Sequence, residues 1–270
     1  MNTSIIENNG VKTYQGDTFS ITMTRYSDPQ RLNLARNAAR YLGKKDIENT
    51  RRPLGIVRQG HVPEIFRGEI VEFEFNDVSK EVYDHLVTYT TRNMRVAGGN
   101  RALTSDSYTL PSDKVKDPEM VKTWVENSME GYRCLLDHAE TPQVARAAMP
   151  IAAKLNTFVF QFNFLTLGQA VFKQRIWEKG AQGNTVKVVQ GMWELVHSVD
   201  PDLWNTFYEW FGTPATEWTE VRRKLKKKEI TVKEMFEKLQ HEYFLNEEDT
   251  LNMTFEDYMK FQFGQVKSMW

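Results

Sequence analysis

Residues 158–177, FVFQFNFLTLGQAVFKQRIW, constrain the fold more than any other stretch of the chain. The run is almost continuously apolar, with a polar residue every few positions, so it belongs in an interior. It reads as a buried helix or as a strand entering one, and periodicity alone leaves both open. With 270 residues the chain can bury such a run in one large domain or two small ones.

Other stretches are more explicit. IVEFEF, residues 70–75, alternates apolar and acidic residues and reads as a half-exposed strand. DPQRLNLARNAARYLG reads as a helix that starts at Asp28-Pro29 and stops at Gly43. Residues 44–68, rich in Arg, Gly and Pro, read as loop. SKEVYDHLVTYTTRN returns to helical spacing through Val82, Leu86 and Tyr89. DPEMVKTWVENSMEGYRCLLDHA is the clearest long helix, and a further one starts at Thr141-Pro142 and is kinked or broken by Pro150. NTVKVVQGMWELVHSV and DPDLWNTFYEWFG read as two more helices. After Thr216 the composition turns to charge, over an apolar stripe of Val221, Leu225, Ile230, Met235 and Leu239. There RRKLKKK reads as a solvated helix face rather than a nucleic-acid site. The order of elements implies an α+β chain with a helix-rich second half.

Charge and composition exclude several function classes. The 35 basic residues are balanced by 36 acidic ones, which argues against a nucleic-acid footprint spread over the surface but leaves room for a local basic pocket. No apolar run reaches membrane-spanning length, and MNTSIIENNGVK has no secretory pattern, so a cytoplasmic protein is expected. The single cysteine, Cys134, permits no intrachain disulfide and reads as a small buried residue at helical spacing. The five histidines lack metal-ligand spacing, and no metal is expected.

Two features remain for chemistry. TTRNMRVAGGNR, residues 90–101, collects three arginines and two adjacent glycines, and suits either a phosphate or a basic helix end followed by a turn. Arg146, Asn163, Arg175 and Gln182 stand in apolar or small-residue surroundings, where a buried arginine requires a carboxylate or phosphate partner. His61 sits in a loop, GHVPEIFRGE, at the mouth of the IVEFEF strand.

The order of these motifs resembles the flavin-dependent thymidylate synthase family, with this chain a divergent member. GHVPEIFRGEIVEFEF is similar to that family's Gly-His loop and strand, and NMRVAGGNRALTS to its Arg-His-Arg signature. ARAAMP, NFLTL, KQR and AQ are similar to its later motifs, over roughly residues 28–211. The resemblance implies an α+β fold, a helix-rich domain with a small antiparallel or mixed sheet over residues 1–215. Residues 216–270 would be a helical C-terminal extension packing on the same or a neighbouring subunit. It implies a homotetramer that binds FAD, is reduced by NADPH, and transfers a one-carbon unit from methylenetetrahydrofolate to C5 of dUMP, with no cysteine nucleophile. By the same resemblance Arg146 contacts the nucleotide, Arg175 contacts the pyrimidine, and His61 lies near flavin and folate. Arg95 contacts FAD, with Asn163 and Gln182 lining the site.

The departures from the signature matter as much. Asn93-Met94 replace its first Arg-His, Asn100-Arg101 replace Asn-Glu, and its closing arginine is missing. Arg92, Asn100 and Arg101 are the candidates to rebuild the phosphate and flavin contacts. The family's Asn and later Arg are 11 apart, about 20° from one helical face, whereas Asn163 and Arg175 are 12 apart, about 120°. Either a π-bulge absorbs the extra residue or Gln174 takes the arginine's place against the pyrimidine. A changed signature also suits hydroxymethylation of dCMP or dUMP for a phage that modifies its DNA, or a non-catalytic paralogue acting as a binding subunit.

Overall fold

The computed structural model describes residues 4–58, 64–89, 93–98, 107–111, 115–178, 183–231 and 234. Its centre is a six-stranded antiparallel sheet. The strands are β1 (Ser4–Asn8), β2 (Val11–Gln15), β3 (Ser20–Tyr26), β4 (Ile70–Asn76), β5 (Asn93–Ala97) and β6 (Phe158–Asn163), in the order β1-β2-β3-β4-β6-β5. The helices are α1 (Leu32–Tyr41), α2 (Arg52–Arg58), α3 (Lys80–Val87), α4 (Pro118–Asp137), α5 (Pro142–Ala145), α6 (Phe164–Thr166), α7 (Gly183–His197), α8 (Pro201–Phe207) and α9 (Thr213–Lys226). Between α6 and α7 runs a π-helix, Leu167–Trp177, and a second π segment, Tyr208–Gly212, joins α8 to α9.

Phenylalanine alternation builds the middle of the sheet. Val71, Phe73 and Phe75 of β4 lie opposite Phe162, Phe160 and Phe158 of β6, and all six are fully buried. Facing aromatic and β-branched residues on one face of an antiparallel pair reinforce each other. Phe75 and Phe158 stack nearly parallel at 4.9 Å between centroids, and Tyr83 of α3 covers Phe158 edge-on at 5.0 Å. The opposite face is polar: Glu72 accepts from Thr24 Oγ1 at 2.9 Å and from Gln161 Nε2 at 3.4 Å.

Residues 158–177 are therefore a strand entering a helix. Asn163 ends the strand and caps α6, its Oδ1 accepting the Thr166 N–H at 2.7 Å. Below it an aromatic cluster fixes the π-helix: Phe172 meets Trp193 edge-on at 5.3 Å and Trp204 at 5.6 Å, and Trp177 meets Trp193 at 5.5 Å. The helix ends on an i→i+5 bond, the Glu178 N–H to the Lys173 carbonyl at 2.9 Å.

The structure corrects four expectations. Residues 44–68 hold α2 and a 3-10 turn at Glu64–Arg67 rather than loop alone, because Leu54, Ile56, Val57 and Phe66 are apolar residues that pack into the core. The helix through Tyr89 stops at Val87, and residues 93–97 form the edge strand β5, because pairing with β6 overrides the local helical pattern. The helix after Thr141 is a four-residue turn followed by a 3-10 turn, Arg146–Ala148, and ends before Pro150 is reached. Cys134 is exposed, because α4 buries only Met129 and Tyr132 within this chain.

Asp28 shows how the sequence's start signal works. Its carboxylate is buried and takes the N–H groups of Leu32 at 2.8 Å and Leu34 at 2.9 Å at the head of α1. Asp28→Ala is expected to cost about 1–2 kcal/mol, read as a lower urea midpoint with an unchanged slope.

Candidate functional site

The π-helix presents one side to the aromatic cluster and carries Gln174 and Arg175 where Phe172 and Trp177 are not, Gln174 exposed and Arg175 half-buried. Both meet Tyr89, a buried residue two positions beyond the end of α3. Arg175 Nε donates to the Tyr89 hydroxyl at 3.0 Å, and that hydroxyl donates to Gln174 Oε1 at 2.7 Å. Arg175 Nη2 reaches the His85 carbonyl at 3.4 Å and Thr88 Oγ1 at 3.5 Å, and its guanidinium carbon lies 5.6 Å from the Tyr89 ring centre. Among the described residues Arg175 meets no carboxylate: its partners are a phenol, a peptide carbonyl and a hydroxyl. A half-buried cation held only by neutral oxygens is open to an anionic or carbonyl-bearing ligand.

His85 closes the inner side of this group, its Nδ1 2.6 Å from Thr185 Oγ1 on α7. Burial, and then the Arg175 charge, push its pKa below the ordinary histidine value, against smaller opposing effects of Glu81 and Asp84. The imidazole is thus neutral at neutral pH and adds no second positive charge beside Arg175. The unfolded chain takes up this proton at a higher pH than the folded one, so the contribution of His85 to stability is present above its unfolded pKa and falls away as pH drops below it. Proton NMR of the imidazole is expected to show His85 titrating below the ordinary value of 6.5. Lys173, on the same helix, has its pKa lowered by burial, with Glu178 Oε1 3.9 Å away opposing the shift.

The other candidates fall in several places. Asn163 lies at the end of β6, one helical segment before Gln174 and Arg175, with Oδ1 engaged as the cap. Arg146 is half-buried in the 3-10 turn after α5 and donates to Gln143 Oε1 of the same segment, which packs on α4. Arg95 stands on β5 opposite Phe160. His61, Arg92, Asn100, Arg101 and Gln182 lie outside the described residues. Tyr89 is legible in the sequence only as an apolar helical position; nothing in its spacing signals that its hydroxyl joins Arg175 to Gln174. Among the described residues no group of His, Cys, Asp or Glu could hold a metal ion, and no helix is long and apolar enough to cross a membrane.

The profile of the thymidylate synthase complementing protein family matches residues 22–202, a span running from β3 to α8 and including the whole Tyr89–Gln174–Arg175 group. The chain belongs to that family. This is the flavin-dependent thymidylate synthase family that the motifs resemble. The fold agrees: a UMP/dUMP methylase, PolB, from Streptomyces cacaoi, crystallised with 5-Br dUMP, superposes with a TM-score of 0.57 at 14% identity. The match covers 72% of this chain and 96% of that one. A sequence search of curated proteins gives no match. Residues 167–177 are a π-helix, whose i→i+5 turns can take up an extra residue without breaking the helix, and both Gln174 and Arg175 of it meet Tyr89.

Proposed function

We propose that this chain transfers a one-carbon unit from methylenetetrahydrofolate to C5 of a pyrimidine deoxynucleoside monophosphate, dUMP to dTMP, with FAD as cofactor and NADPH as reductant. The observation that carries the reading is the guanidinium of Arg175, fixed by Tyr89, Thr88 and the His85 carbonyl yet facing no carboxylate among the described residues. Family membership supports it.

For C5 to attack, electron density must be drawn toward the ring carbonyls, and a fixed cation at the carbonyl edge stabilises the charge that builds there. Arg175 supplies that cation and Gln174 a neighbouring amide. The chain's one cysteine, Cys134, is exposed on α4. FAD, when bound, would supply the hydride that completes the methyl group. Arg95, Arg92, Asn100, Asn163 and Gln182 are the residues proposed to hold it, with His61 at the folate side. Arg146 and Arg101 are proposed for the substrate phosphate, whose dianion suits planar guanidinium groups. Neutral His85 adds no second positive charge beside Arg175 at the ring edge. The active unit is proposed to be residues 1–215 in a homotetramer, with residues 216–270 as a helical extension.

The test is product analysis by mass spectrometry after incubating the purified protein with methylenetetrahydrofolate, FAD, NADPH and either dUMP or dCMP. Formation of dTMP is expected. A hydroxymethyl product would replace this reading with the hydroxymethylation alternative. Absence of any product, together with colourless protein that takes up no FAD, would leave a non-catalytic binding subunit.

A further inference from the structure

We propose that a cavity at the start of α3 binds a small primary amine, an ammonium carried on an apolar body about the size of one ring; this goes beyond the nucleotide reading and does not depend on it. The cavity has a volume of about 130 Å³ and lies where the β2–β3 turn, the turn after β4, α3 and α7 meet. Phe19, Val78, Val82 and Val188, all buried, form its apolar wall. Asn184, Lys187 and Val188 reach it together because residues three and four apart share one face of α7. A void of this size is about what a benzene ring fills in a protein interior.

The polar groups of the cavity are mostly acceptors. Asn184 is only 7% exposed, and its Nδ2 donates to Glu81 Oε2 at 3.3 Å and to the Leu110 carbonyl at 3.0 Å. A carboxylate and a carbonyl both accept, so the amide is held one way round. Its Oδ1 is left as a fixed acceptor with no partner among the described residues. Behind it the Glu81 carboxylate is buried and forms no ion pair among the described residues. At the rim stand the exposed residues Asp17 and Asp77. Lys187 Nζ lies 3.7 Å from Asp17 Oδ2, and Asp77 meets no cation among the described residues. Three carboxylates in and behind the wall thus stand around one ammonium, and a buried carboxylate without a cation draws one.

An ammonium has three N–H donors and no acceptor, which suits this set of groups. A phosphate or carboxylate ligand is repelled by the same charges. The apolar wall favours an organic ammonium over a bare metal ion, for which no ligand cluster exists among the described residues. Val82 and His85 are one turn apart on α3, and Asn184 and Thr185 are consecutive on α7. An occupant therefore bridges the same two helices that meet at the His85–Thr185 contact.

Calorimetry of the full-length protein with benzylamine, benzyl alcohol and benzoate tests this at constant ring size. Benzylamine, protonated at neutral pH, is expected to bind at least about tenfold more tightly than benzyl alcohol, the gain of a charge-assisted contact, and benzoate not at all. Asp77→Asn keeps a side chain that tolerates the φ of 58° at this position. It is expected to weaken benzylamine about two- to fivefold and to leave benzyl alcohol unchanged. Arg175→Ala is expected to leave benzylamine binding unaltered. Equal binding of the three probes, or no binding of benzylamine, would overturn the proposal. So would equal weakening of benzylamine and benzyl alcohol in Asp77→Asn, the mark of a merely structural role. Loss of benzylamine binding in Arg175→Ala would place the amine at the other site and overturn it too. None of these outcomes bears on dTMP formation, which the product assay decides by itself.

Discussion

Arg175→Ala is expected to lower the turnover of dUMP by about 10²–10³-fold, the usual loss when one fixed group stabilising transition-state charge is removed. Folding should survive, because the bonds lost are to a phenol, a peptide carbonyl and a hydroxyl, and no carboxylate among the described residues is left stranded. The thermal midpoint is therefore expected to move little while kcat collapses. Arg175→Lys should not restore activity: an ammonium can follow one of these oxygens but cannot hold Tyr89 through Nε while reaching Thr88 and the His85 carbonyl through Nη2. Turnover close to wild type in Arg175→Ala would remove this residue from the chemistry. Steady-state kinetics beside a melting curve separates the two effects.

Gly98→Ala is expected to have the largest effect on stability, about 3 kcal/mol, read as a shift in the urea midpoint. Gly98 follows β5 with φ +80°, a region that side-chain-bearing residues rarely adopt. A Cβ there would stand 2.3 Å from the Thr157 carbonyl oxygen and 2.5 Å from Phe158 Cα. Both are backbone atoms at the start of β6, so neither can swing aside without disturbing the Phe158 stack on Phe75. Gly43 is the matching control: its φ is +63°, but a Cβ would meet nothing within 4 Å. Gly43→Ala should therefore cost only the conformational part, about 1 kcal/mol. Equal effects at the two sites would show that close approach to β6 does not matter.

Gly98 also answers part of the question that TTRNMRVAGGNR raises. Within the stretch, residues 93–97 are the edge strand beside β6 rather than the end of a helix, and the first glycine is required by that contact. Local pattern cannot show this, because the strand exists through a partner some 60 residues away in sequence, as in the Arg95–Phe160 pairing. The IVEFEF strand, by contrast, is legible because both its faces are written in its own residues. The start of the chain carries a turn signal that its polar composition obscures: Asn9-Gly10, with φ 51° and 78°, is the two-residue turn that joins β1 to β2. Cys134 defeats the expectation of burial because helical spacing reports which residues share a face, not whether another element covers it. At the candidate site, Arg175 and Gln174 stand out as polar residues after an apolar run, 12 and 11 residues from Asn163, and the π-helix is what brings both to Tyr89. Tyr89 cannot be singled out, because a buried tyrosine and a buried phenylalanine make the same pattern until the partner of the hydroxyl is known.

The π-helix bears on how relatives of this protein should be compared and on how an inactive control could be made. In an ordinary α-helix an added residue turns everything after it by about 100°. Here the wide turns confine that change, and Trp177 still reaches Trp193 at 5.5 Å at the far end. A relative whose segment is an ordinary α-helix would therefore align with residues 167–177 only with a gap inside the helix. Conversely, excising one residue between Phe172 and Gln174 would turn Gln174, Arg175 and Trp177 together relative to Phe172, so the site residues would leave Tyr89 as Trp177 left Trp193. A catalytically silent protein could thus differ from the working one by a single position of length, with every side chain proposed for the chemistry still present.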